Sequence, residues 1–181
     1  SVREKLHLRA CLVVHRDSKA KSCVELKGEM LVLPQRSRLP IHLYLERDCP
    51  SRASKPKDFF KRIVAPASVE SGLDYVVRKR AAAALVDHTD LDQYKASKPQ
   101  FHARLRILQQ SVLFPAGVII YQPGKLDASI VSAVRRSLLS AGSTTRGQQL
   151  LRMCRISSFQ NVTAEYESEL KAILKLYPPS K

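Results

Sequence analysis

The sequence has few residues of the kinds that mark non-globular chains. With 6 glycines and 10 prolines in 181 residues, collagen-like and Gly-rich low-complexity architectures are excluded. No apolar run reaches the roughly 18 residues that a membrane-spanning helix needs. Aromatic residues are only 6%, and no aromatic strand signature of an RNA reader occurs. No cysteine pair has C-x-x-C spacing, which argues against a zinc ribbon or a thioredoxin motif. His7, His15, His42, His88 and His102 show no metal-ligand spacing. There is no P-loop and no G-x-S-x-G turn. No catalysis, metal or cofactor is therefore expected.

What remains is an ordinary soluble balance with one unusual number. The chain is 44% apolar and 26% charged, enough to bury a core in one domain. Lys plus Arg number 31 against 16 Asp plus Glu, for a net charge of +15. The excess is spread over all thirds of the chain, so it is neither a tail nor an arm. Such a chain attracts anions: nucleic acid, acidic membrane surfaces or small oxyanions. Cys11, Cys23, Cys49 and Cys154 are expected to be mostly buried free thiols, although an even count permits disulfides in an exported protein. Ser1-Val2-Arg3-Glu4-Lys5 has no apolar signal-peptide core, and the chain has no initiator Met, so removal of an upstream segment stays open.

Short apolar runs bounded by turn residues predict strands near 11–15, 30–33, 82–86, 105–108 and 117–121. The run at 81–86 is alanine-rich, and alanine favours helix. It follows a helix directly through Arg78-Lys79-Arg80, however, and stops at Asp87-His88-Thr89-Asp90, which favours a buried strand. Val24–Gly28 reads as a short helix or turn closed by Gly28, and residues 50–58 as a loop. Ser37 is the expected N-cap of a helix carrying Ile41, Tyr44 and Leu45, with Pro40 in its first turn. Ser68 caps a helix with Val69, Leu73, Val76 and Val77, and a further helix begins at Asp90. Three helices close the chain. One follows Asp127 (Ile130, Val134, Leu138), one runs from about Thr144, and one starts at Thr163 (Tyr166, Leu170, Ile173). Strands and helices in alternation predict an α/β fold with a mixed or parallel sheet.

Several strings, in order, resemble one family. Leu12-Val13-Val14-His15-Arg16-Asp17-Ser18 and Glu25-Leu26-Lys27-Gly28 look like a first crossover strand and its following turn. Phe59-Phe60-Lys61, Ser68-Val69-Glu70 and Ala83-Ala84-Leu85-Val86-Asp87 resemble the later part of the same lobe. Gln110 to Pro115, through Tyr121-Gln122-Pro123-Gly124, looks like the return crossover. Arg146 to Leu151 and Phe159 resemble the terminal helices. Together they are similar to the phosphate/phosphonate-binding family of ABC-transporter substrate-binding proteins, over about residues 10–178. The resemblance implies the type II periplasmic-binding fold, whose two α/β lobes hold an oxyanion between them. It also implies a periplasmic or outward-facing location and an ABC permease as partner. On this reading residues 10–115 form the second lobe with its first crossover. Residues 116–181 hold the return crossover and terminal helices, and most of the first lobe is missing.

The candidate ligand residues lie at strand ends. Arg36-Ser37-Arg38 stands ahead of a helix, where free N–H groups and the positive dipole end favour phosphate. A Ser hydroxyl could donate there, and guanidinium groups grip phosphate bidentately. The competing reading is an ordinary N-cap with two solvated arginines. Asp87 lies at the carboxyl end of its strand, where open α/β sheets place ligands. The resemblance implies that an acid there can face a ligand amino group, with Thr89 adding a hydroxyl. Ser68 is a weaker candidate, and simple capping is the competing reading for all three. The run Arg78-Lys79-Arg80 reads as a solvated turn.

The function expected is capture of a phosphate- or phosphonate-like oxyanion for transport or sensing. The alternatives are a basic nucleic-acid-binding protein and a truncated remnant without a ligand. Nucleic acid is disfavoured by the absent recognition motifs. Self-association is expected, because the apolar stripes of the terminal helices need a partner surface.

Overall fold

The computed structural model describes residues 7–49, 55–154 and 156–178. Part of the expected loop at 50–58, residues 50–54, lies outside them, and its last residues open a short helix at Pro56–Phe59 instead, with Pro56 in the first turn. The chain divides into two compact units, one of residues 1–116 with 170–181 and one of residues 117–169.

In the first unit the elements follow as β1 (His7–Leu8), β2 (Ala10–His15), β3 (Met30–Val32), α1 (Leu39–Arg47), α2 (Pro56–Phe59), β4 (Arg62–Val64), α3 (Val69–Val77), β5 (Ala83–Asp87), α4 (His88–Ser97), α5 (Pro99–His102), β6 (Leu105–Gln110) and β7 (Phe114–Pro115). Five strands form one sheet in the order β4-β3-β5-β2-β6, and β1 pairs with β7 separately. β3 is parallel to β4 and β5, whereas β2 is antiparallel to β5 and β6. The carboxyl ends of β3, β4, β5 and β6 therefore share one edge with the amino end of β2.

Period-two alternation explains why these runs are strands with both faces buried. Leu12, Val14, Leu31 and Leu85 pack in one cluster with Ile41, Tyr44 and Leu45 of α1 and with Phe59 and Phe60. Cys11, Val13, Val32, Ala84 and Val86 pack in the other with Leu73, Val76 and Val77 of α3 and with Leu91 and Tyr94 of α4. Within the alanine-rich run, Ala83 and Ala84 alternate between the two faces, as a buried strand requires. Close packing also explains Gly72 in α3, where an added Cβ would stand 3.0 Å from Val32 Cγ1. The last residues return to this unit. The Tyr177 ring lies 5.0 Å from that of Phe114, its hydroxyl donates to Asp48, and Arg47 donates to the Pro178 carbonyl at 2.8 Å.

Three expectations need correction. Cys23 and Cys49 are not free thiols: they form a disulfide with Cα atoms 5.9 Å apart. It ties the 3-10 turn Cys23–Leu26 to the end of α1, and neither cysteine had local spacing that pairs it with the other. Cys11 and Cys154 are free, the first buried and the second exposed. Residues 117–121 form no strand. Their β-branched run has no ladder partner among the described residues, and Ile120 is 85% exposed, so propensity alone does not make a strand. Finally, α1 begins after Arg38, not after Ser37. Smaller differences follow from capping. Asp87 caps α4, which starts it two residues before Asp90.

The second unit holds α6 (Ala128–Leu139), a 3-10 turn at Ala141–Ser143 and α7 (Thr145–Cys154). Gly147 is required there, because a Cβ would sit 2.0 Å from the Ala141 carbonyl oxygen. Ile130 and Val134 of α6 are about half exposed. The last helix, α8 (Tyr166–Leu176), begins three residues after the expected Thr163.

Candidate functional site

The shared edge brings most of the candidates onto one side of the sheet. The turns after β3 and β4 run side by side. Leu33 N–H donates to the Val64 carbonyl at 2.9 Å, and Gln35 N–H donates to the Pro66 carbonyl at 3.0 Å. Arg36, Ser37 and Arg38 follow the first of these turns and Ser68 the second. β5 lies on the other side of β3 and ends at Asp87.

Arg38, Asp87 and Thr89 form one cluster. Asp87 is buried and caps α4 by accepting from Asp90 N–H at 3.0 Å. The Thr89 hydroxyl donates to the same carboxylate oxygen at 2.5 Å. Arg38 Nη1 stands 3.5 Å from the other oxygen, with a quarter of the Arg38 side chain exposed. The carboxylate thus holds one end of the guanidinium in a fixed orientation.

The serines behave differently from the expectation. Ser37 Oγ donates to the Pro34 carbonyl at 2.7 Å, so its one proton is used inside the turn. It can accept from a ligand but not donate to one. Arg38 is the N-cap residue by position, with no side-chain cap, and Pro40 in the first turn lacks an N–H. The helix start is therefore a poorer anion cradle than a serine-capped one. Arg36 is exposed on the turn. Ser68 is the N-cap of α3 and accepts from Ser71 N–H at 3.1 Å. Its hydroxyl proton remains able to donate outward.

The profile of the family described as "ABC transporter, phosphonate, periplasmic substrate-binding protein" matches residues 2–166. The chain belongs to this family. Solved structures share the fold of this phosphonate-binding family member. The chloride-bound XAC2383 from Xanthomonas citri has a TM-score of 0.67 at 21% identity, over 94% of this chain and 65% of that one. PA3383 from Pseudomonas aeruginosa, a binding protein component of an ABC phosphonate transporter, has 0.65 at 17%, over 94% and 57%. PhnD1 from Prochlorococcus marinus, in complex with methylphosphonate, has 0.60 at 12%, over 94% and 67%. The chain spans less than two thirds of the length of the first two. No curated protein matches the sequence. The family is one of periplasmic solute-binding proteins that serve transporters. Among the described residues no helix is long and apolar enough to cross a membrane.

Sequence reasoning missed other polar residues of this family member at the same edge. Arg9, just ahead of β2, donates from Nη1 to Gln110 Oε1 at 3.2 Å, and its Nε is buried without a hydrogen-bond partner among the described residues. His88 Nδ1 accepts from Arg9 N–H at 3.2 Å. Ser111 Oγ accepts from Ala10 N–H at 2.9 Å. Only the pairing of β2 between β5 and β6 brings these together, and no local pattern announces it. Arg9, directly before the apolar run, was the one usable signal. Cys11 lies beside them. Burial pushes its thiol up to about 11, against a smaller lowering by the Gln110 hydrogen bond, so it stays protonated and inert at neutral pH.

Proposed function

We propose that this chain captures a phosphate- or phosphonate-like oxyanion at the carboxyl-end edge of its sheet, as the solute-binding component of an ABC transporter or as a sensor. One observation carries the reading: at the sheet edge beside the start of α1, the guanidinium of Arg38 stands 3.5 Å from the buried Asp87 carboxylate, which orients it. A guanidinium fork matches the oxygens of a phosphoryl group bidentately, and a carboxylate beside it orients the fork. Arg36 adds charge from the turn, and Ser68 offers a hydroxyl from the neighbouring one. Thr89 and Asp87 act through Arg38, since Asp87 is already engaged by it. A ligand amino group would have to displace that contact to reach the carboxylate.

The permease partner and the periplasmic location of the working protein belong to the same proposal and rest on the family. No catalysis is proposed. The nucleic-acid reading draws on net charge alone and gains nothing from the family match.

Because the Arg38 side chain is a quarter exposed, charge pairing there is screened. Affinity for phosphate or methylphosphonate is expected to be about millimolar, near −4 kcal/mol. Calorimetry on wild type, Arg38→Ala and Arg38→Lys tests the site. Loss of about tenfold in Arg38→Ala, with incomplete rescue by lysine because the fork is gone, is the expected result. Equal binding by all three places the site elsewhere.

A further inference from the structure

The opposite edge of the same sheet carries a second concentration of positive charge that the oxyanion reading does not use. It is built from the turns at the amino ends of β3, β5 and β6 and the carboxyl end of β2. Arg16, Arg78, Lys79, Arg80 and Arg104 come from three separate loops, and all are exposed. Arg16 N–H donates to the Arg104 carbonyl at 2.7 Å, which sets those two residues side by side. Two open cavities lie among them. One, of about 290 Å³, is lined by His15, Asp17, Ser18, Glu29, Lys79 and Arg80, among others, so two carboxylates share it with the cations. The other, of about 390 Å³, is lined by Arg16, Asp17, Arg78, Lys79 and Arg104, among others. They adjoin, since both share His15, Asp17 and Lys79.

Lys79 is the centre of this face, and its backbone is unusual. Its φ is 56°, the one positive value outside glycine among the described residues. The position follows the end of α3. Lys79 N–H donates to the Val76 carbonyl at 3.0 Å and Arg80 N–H to the Tyr75 carbonyl at 2.8 Å. That bonding pattern closes a helix with a left-handed residue, for which glycine is the unstrained choice. A lysine here places strain where stability alone would favour glycine, and strain held at one point is a pointer to use. Its ammonium pairs with Asp17 Oδ2 at 2.9 Å, and both residues line both cavities.

From the joined cavities, the five cations around them and the strained lysine between them, we infer that this face binds a chain of two or more phosphoryl groups. A single phosphate occupies one cavity and meets part of the charge. An oligophosphate spans both, meets cations on each side and displaces Asp17 from Lys79. The face lies roughly 15 Å from Asp87, the length of β5, so the two ends bind independently.

The test is titration of the whole chain with inorganic triphosphate and with monophosphate, by calorimetry. Triphosphate is expected to bind at least tenfold more tightly, and increasingly so as salt is lowered. Lys79→Gly is the informative variant. Glycine suits the left-handed position, so its melting temperature should hold or rise, while triphosphate affinity falls roughly fivefold. Asp17→Asn removes the competing carboxylate and should tighten binding. Arg38→Ala should weaken monophosphate binding and leave the tighter triphosphate phase in place. Equal triphosphate affinity in wild type and Lys79→Gly overturns the proposal. So does sedimentation with anionic phosphatidylglycerol vesicles in the absence of any triphosphate binding, because that outcome assigns the face to a membrane surface.

Discussion

Asp87 caps α4 and steadies Arg38 with the two oxygens of one carboxylate. Other single residues have equally separable roles. The Tyr44 hydroxyl is buried with no hydrogen-bond partner among the described residues, and burial raises its pKa well above the ordinary phenol value. An unsatisfied buried hydroxyl costs more than it returns. Tyr44→Phe is therefore expected to raise stability by about 1 kcal/mol, read as a higher denaturant midpoint with unchanged slope. A fall would mean that the hydroxyl has a partner. Asp74 has the opposite character. Burial pushes its carboxyl up, but hydrogen bonds from Tyr94 at 2.5 Å and Lys98 at 2.9 Å outweigh that and hold it below the usual range. A carboxyl lowered in the folded state contributes stability that is present above its unfolded value and lost as pH falls through the folded one. Asp74→Asn should flatten the acid limb of the stability profile between those two values. An acid limb as steep as that of the wild type would show that Asp74 does not contribute.

At the scale of elements, what was legible followed from whether the decisive contact was local. The strands β2, β3, β5 and β6 were readable because both-face burial leaves short apolar runs between turn residues. The capping of α3 by Ser68 was readable because the cap and its N–H lie three residues apart. The strand expected at 117–121 was not readable as a failure, because its missing partner is a tertiary fact. The same holds for the Cys23–Cys49 disulfide and for Arg9 beside Gln110, which join residues 26 and 101 positions apart. The candidate site was half legible. Arg38, Asp87 and Thr89 were named and do meet. Ser37 was given the cap, but the Pro34 carbonyl takes its proton. Two tests belong here. Reducing the disulfide, or changing both cysteines to serine, should cost about 3 kcal/mol and lower the melting temperature, and an unchanged melt under reductant would show the bridge is not formed in solution. Gly72→Val should cost about 1–3 kcal/mol by forcing α3 off β3, and a neutral effect would contradict the close packing of that helix.

At the scale of the whole molecule, family and fold are shown, and an oxyanion at one end of the sheet is proposed. The exposed apolar residues of α6, Ile130 and Val134, are expected to drive self-association of this chain. Sedimentation should show a dimer that Ile130→Glu with Val134→Glu returns to monomer, and a compact monomer at high micromolar concentration would oppose it. Family membership rests on a match over residues 2–166, and the proposed position of the site rests on the Arg38–Asp87 pair. The most direct measurement of that position is the amide spectrum of the chain titrated with methylphosphonate. The account predicts saturable shifts concentrated at Arg36–Ile41 and Asp87–Asp90, weakened in Arg38→Ala. Shifts that leave both segments still while other residues move would contradict it.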